Sequence, residues 1–202
     1  AAPCCRPERT AACMRQRFAF LLLPRLSLLS LASATEALRI ANGLLGARHH
    51  EVLLLSRDGR PVTTAGGEQL AVGAALAAVH GATLAALFVV ADGPPEAADD
   101  GFIQTELRAA GLSVERNRGV LGGLGCGAAW LARAELMRGY RCTVDAHYSA
   151  EVAAANPGVI VSSHYYEVDR NRLSCAGGTS ALDLMIHWLG SRHGEHLLQT
   201  SA

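Results

Sequence analysis

Short, wholly apolar runs separated by helical patterns constrain this chain more than any other feature. FAFLLL (residues 18–23), EVLLLS (51–56) and LAALFVV (84–90) have the length of strands but not the alternation of a sheet with one wet face. Strands apolar on both sides need cover on both sides, so the pattern predicts a mostly parallel sheet between two helical layers. Further short strands are expected at 119–124, 141–144, 158–163, 165–169 and 172–177. Helices are expected at 35–45, at 101–110 (closed by Gly111), at 127–138, at 146–155 (stopped by Asn156-Pro157) and at 179–194. In such a sheet the ligand crevice lies beyond the carboxyl ends of the strands. The segments after Leu23, Val90 and Leu124 all point there.

The chain has 202 residues, half of them apolar, which suits one α/β domain with a sizeable core. Eighteen basic residues, all arginine, balance eighteen acidic ones, so the basic footprint of a nucleic-acid binder is missing. The stretch MRQRFAFLLLPRLSLLSLASA resembles a signal peptide, but Pro24-Arg25 cuts its apolar run and SATEALRIAN reads as a helix. The expectation is instead a disordered leader over residues 1–16, with Met14 the natural start, and one domain over 17–202. Cys4, Cys5 and Cys13 lack a C-x-x-C spacing, and Cys142 and Cys175 read as buried small hydrophobes. A reduced, cytoplasmic protein is expected, and the longest apolar runs are far too short to span a membrane.

LGGLGCGAAWLARAEL (residues 121–136) puts Cys126 in a glycine-rich bend at the mouth of an apolar helix. That is the layout of a nucleophile elbow, a sharp strand-to-helix turn that presents a reactive side chain. A helix N-terminus helps lower a thiol pKa. Three readings stay open for Cys126: nucleophile, ligand-pocket or redox-sensitive thiol, and inert buried residue.

FAFLLLPRLSLLSLASATEALRIAN, LSRDGRPV, GGLGCGAAWLARAELMRGYRCTV and SSHYYEVDRNRLSCAGGTSALDLMIHWL together resemble one family over residues 17–199. It is the class I glutamine amidotransferase-like N-terminal domain of AraC-type transcriptional regulators, a branch of the PfpI superfamily. The resemblance implies a flavodoxin-like three-layer sandwich that senses amino-acid-derived or quaternary-ammonium metabolites and forms a homodimer. It also implies that DNA is bound only through a C-terminal pair of helix-turn-helix units not present in this chain. Enzymes of the superfamily carry a cysteine in the elbow and a glutamate on the first helix. Aligned on GAAWLARAELMRG, Gly125 falls at the nucleophile, Cys126 at the next residue and Gly127 at the family's glycine. Aligned cysteine to cysteine, Cys126 keeps the nucleophile's place but the helix shifts by one residue. Where such regulators often show His-Trp, this chain has Asp145-Ala146.

Glu36 matches the first-helix glutamate in the resemblance, and Ser33-Ala-Thr-Glu36 also reads as a capping box. Asp92 and Gly93 end the third apolar run, where loop breakers turn backbone N–H groups toward the crevice. Gly177 and Gly178 read as a tight turn able to approach the elbow. His187, His193 and His196 lack the spacing of a metal helix, and no metal or cofactor is expected. The expectation is therefore a catalytically inactive effector site built from Glu36, Asp92, Gly93, Gly125, Cys126 and Gly127. The alternative is a cysteine-dependent hydrolase or isomerase using Cys126 and Glu36.

Overall fold

A computed structural model describes residues 15–46 and 49–193. The leader with its three cysteines lies outside these residues up to Met14, as does His196. In chain order the first half runs β1 (Gln16–Leu22), α1 (Leu28–Leu44), β2 (His50–Ser56), β3 (Val62–Thr63), β4 (Gln69–Leu70), β5 (Ala74–Ala75) and β6 (Ala86–Ala91). One long helix follows, made of α2 (Asp100–Phe102), a π-helical turn (Ile103–Leu107) and α3 (Arg108–Arg116). The second half runs β7 (Val120–Gly125), α4 (Gly127–Arg133), β8 (Arg141–Cys142), α5 (Ser149–Ala155), β9 (Ile160–Val161), β10 (Tyr166–Asp169), β11 (Arg172–Cys175) and α6 (Ser180–His193).

Seven strands form the central sheet in the order β10-β11-β7-β6-β1-β2-β5. Every pairing is parallel except the β10–β11 hairpin. Period-two geometry divides β1 between two cores. Ala19 and Leu21 face the α3 and α4 side with Leu87, Val89 and Trp130. Phe18, Phe20 and Leu22 face the α1 and α6 side with Phe88, Val90 and Trp188. Phe20 and Phe88 stack across the β1–β6 seam with ring centroids 5.1 Å apart. Each such fully buried side chain stabilises the fold by about 1.5–3 kcal/mol relative to an exposed one, so apolar residues on both faces of β1 hold all three layers together.

Three helix boundaries differ from the sequence reading, each for a local reason. First, α1 begins seven residues early because Ser27, not Ser33, caps it, its side chain accepting the Ser30 N–H at 3.3 Å. Glu36 is therefore mid-helix and takes no part in a capping box. Second, the helix after β6 runs through Gly111 to Arg116, because Gly111 is a point of close approach: a Cβ there would collide with Leu136. Third, α4 stops at Arg133 instead of 138. Glu135 adopts left-handed backbone (φ 59°), and Leu136 N–H returns to the Leu131 carbonyl at 2.9 Å, an αL stop in which Glu takes the usual glycine's place.

Candidate functional site

The elbow is built by glycines that bring backbone against backbone. The last residue of β7, Gly125, carries the left-handed turn (φ 66°), whereas Cys126 after it has an ordinary φ of −88°. The position with nucleophile-elbow geometry is thus Gly125. A side chain there would run into the Ala91 carbonyl oxygen, and one at Gly127 into that of Val89. Cys126 N–H donates to the same Ala91 oxygen at 2.8 Å, which ties the elbow to the end of β6. On the far side, a Cβ at Gly177 (φ 103°) would lie 3.3 Å from the Gly125 Cα, so the expected approach of the second glycine turn is present.

The Cys126 side chain points into the α3–α4 core and is fully buried. Burial pushes its thiol up to about 12, against a smaller opposing effect of a hydrogen bond from the Asp145 backbone. Cys142 is raised to about 12 by the same cause, and Cys175 is raised too. All three are free thiols in apolar surroundings. A buried thiol with a raised pKa is the reverse of an activated nucleophile.

A crevice of about 470 Å³ opens over the carboxyl ends of β1, β2 and β6. Asp92 and Gly93 line it as expected, together with Leu23, Pro24, Ala91 and Trp130. Trp130, on the elbow helix, donates its indole N–H to the Gly93 carbonyl at 2.9 Å. This fixes one aromatic wall and holds the Asp92-Gly93-Pro94 segment against α4. Gly125, Cys126 and Gly127 do not line the crevice; all three are buried beneath it.

Glu36 does not reach the crevice either. It points outward from α1 and forms a two-bond ion pair with Arg39, one helical turn on, at 2.8 and 2.5 Å. The Arg39 hydrogen bond holds its carboxyl below the ordinary range. The α1 side chain that does face the elbow region is Ser30, whose Oγ accepts the Gly178 N–H at 2.7 Å.

Six polar residues of the crevice lay outside the sequence reading: Arg25, Arg57, Glu96, Asp99, Tyr148 and Glu151. Arg25 and Arg57 follow β1 and β2, so the rule that strand carboxyl ends face the crevice was their available signal. Tyr148 and Glu151 stand on the expected 146–155 helical segment, which no local pattern aims at the crevice. Arg25 has left-handed backbone (φ 63°), held by its N–H bond to the Thr63 carbonyl at 2.8 Å. Among the described residues no group of three or more His, Cys, Asp or Glu side chains is placed to hold a metal ion. No helix among them is long and apolar enough to cross a membrane.

This sheet order, with helices on both faces, is the flavodoxin-like fold that PfpI and DJ-1 proteins share. Drosophila melanogaster DJ-1beta, at 15% identity, shares the fold with a TM-score of 0.72 over 92% of this chain and 95% of that one. An AraC family transcriptional regulator from Pseudomonas putida is 28% identical, with a TM-score of 0.79 over 92% of this chain and 96% of that one. Two curated proteins of Pseudomonas aeruginosa are each 35% identical: the HTH-type transcriptional regulator GbdR over 90% of this chain, and the HTH-type transcriptional regulator CdhR over 91%. No protein-family model matches. The chain matches the PfpI-like N-terminal domain of AraC-type regulators, the family its sequence resembles. It spans about half the length of the curated relatives, 48% of GbdR and 53% of CdhR.

Proposed function

We propose that this chain is the effector-sensing and dimerising domain of a cytoplasmic AraC-type regulator, and that its crevice binds a small amino-acid-derived or quaternary-ammonium metabolite without converting it. The observation that carries this reading is Gly125: the elbow position has no side chain and no room for one. Its neighbour Cys126 is buried and held protonated, so nothing in the elbow offers a nucleophile to the crevice. DNA recognition is assigned to the half of such regulators that this chain does not match.

The lining supports a ligand with a positive end. Asp92 and Glu151 offer carboxylates, and Trp130 and Tyr148 offer aromatic faces to an ammonium group. Arg25 stands over β1 and Asp92 over β6, while Arg57 over β2 is paired with Asp99, so cationic and anionic groups lie at different places along the strand order. A zwitterion aligned with that polarity is held at both ends. Effector binding then shifts the population of dimer states that an attached DNA-binding region reads.

The test is calorimetric titration of the chain with a panel of betaines and amino acids, repeated on Asp92→Asn and Trp130→Phe. A saturable heat for at least one compound, weakened in both variants, is expected. Absence of binding across the panel would overturn the sensor reading. Conversion of a bound compound, lost in Cys126→Ala, would put an enzyme in its place.

A further inference from the structure

We propose that Arg57 is a carboxylate seat in the crevice occupied by the protein's own Asp99, and that exchange of Asp99 for the anionic end of a bound effector is the event that loosens the turn Ala97–Asp99 ahead of the long helix. The regulatory part rests on the sensor reading above; the seat itself does not.

Two adjacent acids in this segment are held in contrasting ways. Asp100 takes a two-bond fork from Arg133 of α4, with both distances 2.8 Å. Asp99 receives one hydrogen bond from Arg57, Nη1 to Oδ1 at 3.1 Å, although a guanidinium and a carboxylate can pair through two. The Arg57 side chain is 41% exposed, and its Cζ lies 4.1 Å from the Phe102 ring centroid. Stacking on Phe102 thus holds the guanidinium in place whichever carboxylate it faces. A singly bonded pair with one partner this exposed, and with Asp99 itself 22% exposed, is weak, and swapping one carboxylate for another leaves no charge buried alone.

Asp99 also connects the seat to the backbone. Its other oxygen, Oδ2, accepts the Glu96 N–H at 3.1 Å, half of the capping box that closes the turn Ala97–Asp99 ahead of α2. Released from Arg57, this turn keeps its box but loses its tie to the segment after β2. α2 (Asp100–Phe102) follows directly, and the π-helical turn Ile103–Leu107 comes after it. The Asp100–Arg133 fork and the buried Phe102 and Ile103 fix the helix from its first turn onward. Exchange at Arg57 therefore acts on residues 96–99 while the helix behind them stays packed.

Sodium acetate is the probe, titrated at constant ionic strength against chloride. The readouts are the Arg57 side-chain resonances and the amides of residues 96–99 by NMR. The native chain is expected to show saturating shifts at both. Asp99→Asn, which keeps an acceptor for Glu96 N–H, is expected to bind acetate roughly fivefold tighter, because the seat no longer has to be vacated first. Arg57→Gln is expected to lose the response. A pair that only braces the fold gives no opposed signs: an Arg57→Gln response equal to the native one, or an Asp99→Asn midpoint no lower, overturns the proposal. A response to acetate without any binding in the metabolite panel would remove the sensor reading and leave the seat standing. The converse would remove the seat alone.

Discussion

Gly125 lies so close to Ala91 that a Cβ at position 125 would meet the Ala91 carbonyl oxygen, and its backbone is left-handed as well. The left-handed φ alone costs a non-glycine residue about 1 kcal/mol, and displacing the end of β6 adds to it. Gly125→Cys is expected to lower unfolding free energy by about 3 kcal/mol without creating esterase or glyoxal-consuming activity. Urea denaturation and a turnover assay check both halves. An active, undestabilised variant would show that the elbow has room for a nucleophile.

Cys126 is expected to react slowly. With its thiol moved from 9.0 to about 12 by burial, little thiolate exists at pH 8. A three-unit rise lowers the thiolate fraction by ~1000-fold relative to a free thiol. Alkylation of Cys126 by iodoacetamide, followed by peptide mass spectrometry, is predicted to be at least ~100-fold slower in the folded chain than in urea. Equal rates in the two states would contradict the buried placement.

The same shifts fix a pH dependence. A thiol whose folded pKa is raised stays protonated in the fold where the unfolded chain would ionise. The stability from Cys126 and Cys142 is therefore fully present below the unfolded pKa of 9.0 and is lost as pH rises toward about 12. Urea midpoints of the native chain are predicted to fall across that window. The double variant Cys126→Ala, Cys142→Ala is predicted to fall less steeply there, and matching slopes would sink the assignment.

Arg172 is a buried cation whose loss is expected to be costly. Its side chain is 2% exposed, donates to the Leu136 carbonyl at 2.7 Å, pairs with Glu115 of α3 and lies 4.4 Å from the Tyr140 ring centroid. Arg172→Met is predicted to destabilise by about 2–4 kcal/mol, because the Leu136 carbonyl and Glu115 lose their shared donor. Denaturant unfolding checks it; a neutral result would mean that β11 and α3 do not depend on this residue.

The fold was legible where apolar runs are unambiguous. β1, β2, β6 and β7 fall within two residues of the runs that announced them, since burial on both faces leaves a strand few alternatives. Helix ends were less legible. Leu28 and Leu29 begin α1 at 42% and 55% exposure, so the cap at Ser27 had no polar first turn to mark it. Glu135 ends α4 in a conformation that the sequence normally signals with glycine. The site was legible in half. Asp92 and Gly93 sit at the end of an obvious strand, but the crevice that they border is completed by Arg57, Trp130 and Glu151, which only the strand order brings together. Glu36 was misplaced because its residue type fitted the superfamily's pattern, whereas its helical phase turns it toward solvent and Arg39.

The most direct measurement follows ligand and protein in one sample. Proton NMR reports the Trp130 indole N–H, bonded to Gly93 O at the crevice wall, beside the spectrum of a bound metabolite. The prediction is an indole resonance that shifts and saturates while the compound remains chemically unchanged through prolonged incubation. Conversion of the compound at a rate abolished in Cys126→Ala, or an indole unmoved by every metabolite tested, would contradict a sensing crevice above a silent elbow.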